Sequence, residues 1–483
     1  MLDNFFCRIF NTSNPNKTAI ISQGEKYSYL DFRVNVLGLS KTLARYSGQT
    51  IAIYIDDSPM YIFLFWSCIL NHIQTVLINK NSPIEHIKHI VIESKASYLV
   101  SDVELSLDFC KTLSLEKLKN YNISNDTSCL NPFTKEETAF FLCTSGSTGN
   151  PKCVPHTLED IEFCATTFNN TDVKLNSSDL VYSVSKIPFT FGFGNIMYLP
   201  FFMSCTVFVS NTSDLVCILK NIEEIKPTVL FGVPTVYNGL LNLLGENEIK
   251  NRLRMTISCG EVLPKVIGRQ WENKMHLPLL EGMGTTEFLY TFLINTPNNN
   301  RYGSTGQLIE GFEADIVNDN FRKANVGEIG NLYVKGNSIT KGYINGRDTS
   351  AFIKDGMLTG DLFFKDKDEF FWYVGRRNSI FKLNGKWVKA EDIENELLKV
   401  PFIKEAMVHA EYNSDSITFL SAYIVLESKK TITCVTSRKL KSLLRKKVPH
   451  SNVPDHYFVV DSLPKGVTGK LDRKFIKNRK EIK

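Results

Sequence analysis

The chain has 483 residues, of which 43% are hydrophobic and 22% charged, with a net charge of +5. That length allows several domains with large cores, the composition excludes a disordered or fibrous chain, and the charge is too small to imply a polyanionic partner by itself. The 11 cysteines are odd in number and form no CxxC pair, which predicts reduced thiols in a cytoplasmic protein rather than a disulfide framework.

Met1 to Asn11 shows no basic segment followed by an apolar core and cleavage site, so no signal peptide is expected. Up to about Asn131 short strands and helices alternate. Ala19–Ser22, Thr50–Ile55, Thr75–Ile78 and Ser97–Val100 read as strands. Ser28–Leu43, Met60–Leu70 and Pro83–Glu93 read as helices. Met60–Leu70 is about half a membrane-spanning length and is expected to be a buried helix, so no membrane span is expected. His86 and His89 lie three apart without a third ligand nearby and are expected to be plain surface residues. This alternation predicts an α/β layer fold.

The polar stretch Asn120–Thr134 reads as a surface linker. An apolar strand, Ala139–Cys143, then enters the loop Thr144-Ser145-Gly146-Ser147-Thr148-Gly149-Asn150-Pro151-Lys152. Glycines let backbone approach a ligand, and N–H groups, hydroxyls and a terminal cation are what phosphate oxygens need. The kinase-type P-loop requires Lys and Ser/Thr directly after its second Gly, and Asn150-Pro151 follow Gly149, so that motif is excluded. A solvated turn of small residues is the other reading of the loop taken alone. Cys143 and Cys153 flank it without an evident base partner.

Downstream, Leu158–Phe168 is a predicted helix. Leu180–Val184, Thr206–Val209, Thr228–Gly232 and Met255–Cys259 are predicted strands, and Asp214 is a candidate N-cap for a helix to Ile225. Polar and glycine-rich residues recur just after strands, where open α/β sheets bind ligands. Near Arg376 the pattern turns polar, and about 105 residues of their own elements follow, including a helix in Val388–Lys399 and a strand in Ile417–Val425. The expected domains are 1–377 and 378–483. The segment from Arg438 to Lys483 carries 14 Lys/Arg against 4 Asp/Glu. It reads as a solvated basic face, and no nucleic-acid partner is expected.

Thr144–Lys152, Gly284-Thr285-Thr286-Glu287, Thr359-Gly360-Asp361, Gly375-Arg376, Lys382 and Thr468-Gly469-Lys470 occur in an order that resembles the adenylate-forming enzymes. That superfamily contains acyl- and aryl-CoA ligases, peptide-synthetase adenylation domains and luciferases. Lys186–Asn195, Phe231–Tyr237, Arg301–Gly306 and Met283 before Gly284 look most like benzoate-CoA ligases. The resemblance implies an α/β fold with a large N-terminal domain of layered sheets and helices and a small mobile α+β C-terminal domain. It implies ATP-dependent activation of a benzoate-like carboxylic acid to acyl-AMP, with Mg2+, then transfer to CoA or to the phosphopantetheine of an acyl-carrier protein.

By the same resemblance, the opening loop would hold the β- and γ-phosphates, and Thr286 and Glu287 would face the α-phosphate and magnesium. A Thr-Glu pair also suits a helix N-terminus. Asp361 would take both ribose hydroxyls and Arg376 would reach them; a turn Asp and a surface Arg are the plainer readings. Gly260 and Glu261, with Met283, Gly284 and Thr285, would line the nucleotide, although Glu261 also suits a first helical turn. Lys470 would bridge the carboxylate and the α-phosphate, and Lys382 and Gly385 would serve the thiol step after rotation about Asn378, where Asp or Lys is usual. Thr190, Phe191, Gly192, Gly282 and Tyr290 would form the acid pocket, with Phe189, Phe193 and Phe292 as further aromatic walls or ordinary core. Tyr290 could bond a ring substituent. Lys186–Asn195 holds no acidic residue to pair an α-ammonium, which disfavours amino acids. A catalytically inactive adenylate-binding regulatory protein is the reading from another class.

Overall fold

Two sheets with parallel centres carry most of the chain before residue 310. In the computed structural model the described residues are 4–10, 12–128, 130–144, 150–245, 252–346, 349–377, 380–383, 386–412, 418–427, 436–463 and 480–481. The first sheet has six strands in the order Lys111–Ser114, Tyr98–Ser101, Thr50–Tyr54, Gln74–Leu77, Thr138–Thr144 and Lys152–Thr157. All neighbours are parallel except the last pair, an antiparallel hairpin whose connection is the glycine-hydroxyl loop.

The second sheet has nine strands. Its parallel centre runs Leu279–Gly284, Met255–Ser258, Val229–Gly232, Leu180–Ser183, Thr206–Phe208 and Thr18–Ser22, with antiparallel strands at both edges. Crossover helices connect the parallel strands, as that topology requires. A third, antiparallel sheet of five strands holds Gly356–Lys365 and its neighbour Phe371–Arg376.

Local chemistry sets the helix boundaries. Helix Tyr29–Leu43 begins where Ser28 and Asp31 cap each other's backbone N–H groups. Asp214 accepts from the Cys217 N–H at 2.9 Å, the N-cap expected from sequence. In helix Pro59–Ile69 every residue from Met60 on is buried, as an element apolar all round must be. Among the described residues no helix is long and apolar enough to cross a membrane. This helix anchors the main core, where Phe5, Phe10 and Phe65 ring Trp66 and the Trp66 indole N–H donates to the Met197 carbonyl at 3.1 Å.

Beyond Ile380, a hairpin of Ile380–Leu383 and Lys386–Lys389 precedes helix Ala390–Leu398. The antiparallel strands Ile403–Tyr412 and Thr418–Leu426 follow, with His456–Val459 parallel to the second. Val388, Ile393, Leu397, Val408, Leu420 and Leu444 form a separate core here. Two expectations need correction. Val388 and Lys389 belong to the hairpin, and the helix starts at Ala390, because the apolar alternation of a short strand and the start of a helical stripe overlap in sequence. His86 is buried rather than a surface residue: four residues before Ile90, it lies on the apolar face of helix Ile84–Glu93.

Candidate active site

Several of the candidate residues lie at the carboxyl ends of the parallel strands. The loops after Thr138–Thr144, Leu180–Ser183, Val229–Gly232, Met255–Ser258 and Leu279–Gly284 all leave from that end, where open α/β sheets bind ligands. At the stem of the glycine-hydroxyl loop, Thr144 faces Lys152 across the hairpin. Ser145, Gly146, Ser147, Thr148 and Gly149 lie outside the described residues. The Lys152 ammonium sits 4.5 Å from the centroid of the Tyr343 ring, a cation–π distance. The Tyr343 hydroxyl donates to Glu287 Oε1 at 2.7 Å. One aromatic side chain thus joins the lysine of the loop to the carboxylate of the Gly-Thr-Thr-Glu segment.

That segment is shaped by its glycine. The strand register slips between Met283 and Gly284, and a Cβ on Gly284 would lie 2.1 Å from the Tyr290 carbonyl oxygen. Thr286 and Glu287 then form a single 3-10 turn, not the start of an α-helix. The Thr340 N–H donates to the Glu287 carbonyl at 2.8 Å. The Thr190 hydroxyl donates to Thr286 Oγ1 at 3.0 Å, linking the expected acid pocket to this turn. Behind it lies buried His156, with Nε2 2.7 Å from the Thr286 carbonyl oxygen and Nδ1 3.0 Å from Asp160 Oδ2. Asp160 also caps helix Leu158–Asn169 together with Thr157, so the imidazole is held from one side and holds the turn from the other. Thr285 Oγ1 is buried without a hydrogen-bond partner.

Asp361 and Arg376 face each other across the antiparallel pair Gly356–Lys365 and Phe371–Arg376, with Arg376 Nε 2.9 Å from Asp361 Oδ1. Asp361 Oδ2 is buried and has no partner. Burial pushes the Asp361 carboxyl up to about 6; Arg376 pulls the other way, and the Glu287 charge adds to the rise. A buried acceptor without a donor can accept from a ligand hydroxyl. Gly260 and Glu261 lie in the exposed turn after Met255–Ser258. Helix Lys265–Met275 begins four residues after Glu261, so the first-turn reading of Glu261 does not hold.

The segment expected to form the acid pocket folds as helix Thr190–Phe193 running into a π-helical turn, Gly194–Tyr198, a geometry common at functional sites. Phe191 is half-buried, stacked on Tyr290 at 6.1 Å and edge-on to Phe231 at 5.7 Å. Gly192 and Gly282 are buried. The Tyr290 hydroxyl donates to Asn195 Oδ1, so its proton is engaged inside the protein rather than offered to a ring substituent. Phe193 and Phe292 are core residues, packed on Phe65 and Phe140 and on Phe288 and Phe312, respectively. Phe189 is 49% exposed. Helical and strand alternation sends neighbouring aromatics to opposite faces, so Phe193 and Phe292 are core rather than pocket walls. Below the segment, both Asp57 carboxylate oxygens lie 3.3 Å from the Ile187 N–H. Burial pushes Asp57 up to about 7, against the pull of Lys186.

Lys382 lies on strand Ile380–Leu383 opposite Trp387, whereas Asn378, Gly385 and Lys470 lie outside the described residues. Among the described residues no group of three or more His, Cys, Asp or Glu could hold a metal alone. One carboxylate, Glu287, beside a nucleotide site is the donor set magnesium uses when phosphates complete its shell. The sequence reading missed Tyr343, His156, Asp57 and Asn195. Only Thr157-Leu158-Glu159-Asp160 carried a local signal, the capping-box spacing that places Asp160 beside His156.

Comparisons with known proteins identify the family. The chain is similar to a 4-hydroxybenzoate–CoA/benzoate–CoA ligase of Rhodopseudomonas palustris, 28% identical with 95% of this chain and 90% of the relative covered. It is similar to an anthranilate–CoA ligase of Pseudomonas aeruginosa, 27% identical with 95% and 93% covered. The fold is similar to that of o-succinylbenzoate CoA synthetase from Bacillus subtilis in complex with its acyl-adenylate intermediate, with a TM-score of 0.83, 20% identity and 99% and 98% coverage. A benzoate CoA ligase from Burkholderia xenovorans is similar with a TM-score of 0.77, 23% identity and 98% and 99% coverage. The AMP-binding enzyme C-terminal domain matches residues 392–470. The AMP-binding enzyme family matches residues 8–344, a span that takes in Lys152, His156, Thr190, the Thr286–Glu287 turn and Tyr343, and the chain belongs to that family.

Proposed function

We propose that the protein activates a benzoate-like aromatic carboxylic acid with ATP, forming acyl-AMP and pyrophosphate, and passes the acyl group to the thiol of CoA. The observation that carries this reading is the run of contacts from Lys152 through Tyr343 to Glu287 and from the adjacent Thr286 to Thr190, with the buried Asp361 Oδ2 left for a ligand. The relatives named above are aryl-acid CoA ligases, which supports the substrate class and the acceptor.

The acid's carboxylate oxygen attacks the α-phosphorus, forming an O–P bond while the bond to the pyrophosphate oxygen breaks. Charge gathers on phosphoryl oxygens, so donors and cations aimed there do most of the work. Thr144 to Gly149 and Lys152 hold the β- and γ-phosphates, and Thr285 and Thr286 face the α-phosphate. His156 and Thr190 keep the Thr286 turn in place. Glu287 is the carboxylate for magnesium, which when bound neutralises phosphate oxygens. Asp361 accepts from the ribose hydroxyls beside Arg376, and Gly260, Glu261, Met283 and Gly284 line the base.

Thr190, Phe191, Gly192, Gly282 and Tyr290 shape the acid pocket. Between Lys186 and Asn195 no carboxylate stands ready for an ammonium, which supports an aryl acid over an amino acid. Lys470 bridges the acid and the α-phosphate. Domains 1–377 and 378–483 then rotate about Asn378, bringing Lys382 and Gly385 to the thiol step.

Acid-dependent exchange of pyrophosphate into ATP, run over aryl, aliphatic and amino acids and followed by CoA capture, tests the proposal. Benzoate-type acids should exchange best, and Lys470→Ala should slow exchange on the order of 10²-fold. Exchange with no acid in the panel would point to an inactive adenylate-binding protein. Capture by a pantetheinylated carrier and not by CoA would overturn the acceptor.

A further inference from the structure

Cys143 and Cys153 stand directly opposite each other on the hairpin that carries the glycine-hydroxyl loop, with their sulfurs 3.9 Å apart. The next pair toward the loop is Thr144 and Lys152. Residues directly opposite in an antiparallel ladder have Cα atoms roughly 4.5–5.5 Å apart. That is inside the range of about 4.4–6.8 Å that a disulfide spans, most often about 5.5–6 Å, so the bond forms by side-chain rotation with a small shift of the two strands. The two thiols differ in access: Cys143 is partly exposed and Cys153 is buried. The surroundings fix the second strand, since the Cys153 N–H donates to Glu93 Oε2 at 3.3 Å, while His89 lies 3.6 Å from that carboxylate and 3.1 Å from the Pro151 carbonyl oxygen. The neighbouring Cys143, burial and Glu93 all keep Cys153 in its protonated form.

We propose that Cys143 and Cys153 are a two-electron oxidation site that a peroxide converts to a disulfide, tying the stem of the nucleotide loop. The Cys143 sulfur attacks one peroxide oxygen, the O–O bond breaks, and sulfenic acid and water form. The Cys153 sulfur then attacks Cys143 Sγ, the S–O bond breaks, and a second water leaves with the thiol proton. Sulfur is oxidised by two electrons in total and the peroxide is reduced to water. The closed bond draws the sulfurs from 3.9 Å to about 2.05 Å, one residue from Thr144 and Lys152. A misplacement near 1 Å costs up to on the order of 10²-fold in rate, so exchange activity falls by about tenfold or more.

The test treats the full chain with hydrogen peroxide and maps tryptic peptides before and after dithiothreitol. The expected result is one reducible cross-link between the peptides holding Cys143 and Cys153, with activity restored by the reductant. Cys143→Ser should abolish both the cross-link and the peroxide sensitivity while keeping basal exchange; Cys143→Ala serves if the serine variant folds poorly. The exposed Cys217 is an internal control for unselective oxidation. Oxidation that stops at Cys143 without a cross-link, or that cross-links other cysteines, overturns the site. A cross-link that leaves exchange unchanged overturns its effect on the loop. The peptide map decides the site whether or not the acid substrate is identified.

Discussion

Replacing Asp361 with Asn should move stability and nucleotide binding in opposite directions. The side chain is 1% exposed, Oδ1 meets Arg376 Nε at 2.9 Å and Oδ2 has no partner. Its carboxyl is raised from 3.8 to about 6, first by burial. Because the folded-state value lies above the unfolded one, the unfolded chain releases this proton first as pH rises. Stability is therefore lost between about pH 4 and 6 and stays lost at higher pH. Raising the carboxyl from 3.8 to about 6 costs the folded state about 3 kcal/mol at neutral pH.

Asp361→Asn removes the buried charge at nearly the same volume. Arg376 is mostly exposed and can rehydrate, so little is lost on that side. The ligand-free variant should therefore melt higher than the parent at pH 7.5, with the gap closing as pH falls toward 4. The same change removes a charged acceptor for ribose hydroxyls, worth about 1.5–3 kcal/mol per bond, so AMP should bind on the order of 10²-fold more weakly. Thermal melts at several pH values and calorimetric AMP titration read the two effects separately. A variant that melts lower at pH 7.5, or that binds AMP as tightly as the parent, would refute the reasoning.

Other changes probe the rest of the site. Tyr343→Phe keeps the ring under Lys152 but removes the bond to Glu287. A bond to a charged group contributes about 1.5–3 kcal/mol, so the magnesium concentration for half-maximal exchange should rise about tenfold or more, with the KM for the acid unchanged. Tyr343→Leu should in addition raise the KM for ATP. Gly194→Ala would place a Cβ 2.3 Å from Tyr290 Cε2, and Tyr290 is tied to Asn195. Overpacking of this kind costs about 1–3 kcal/mol, seen as a lower melting temperature, and the displaced ring should raise the KM for substituted benzoates more than for benzoate. Nucleotide affinity in the parent should weaken as pH falls through about 6, where Asp361 gains its proton; an affinity flat from pH 7.5 to 5 would count against Asp361 as the ribose acceptor.

Local chemistry was legible in the sequence. The strand into Thr144, the Asp214 cap and the buried helix expected at Met60–Leu70 follow from periodicity and capping, which act over a few residues. The glycine-hydroxyl loop stood out by its residue types, whereas Thr286-Glu287 and Asp361 stood out only through the family resemblance, since a Thr-Glu pair or a turn Asp is common by itself. Tertiary structure alone decided the partners: Tyr343 between Lys152 and Glu287, His156 against Thr286, Tyr290 on Asn195, and Cys143 beside Cys153. It also moved Phe193 and Phe292 into the core and buried His86. Sequence spacing reports which face of an element a residue occupies. What stands across from that face depends on how distant elements pack, and no short-range pattern encodes it.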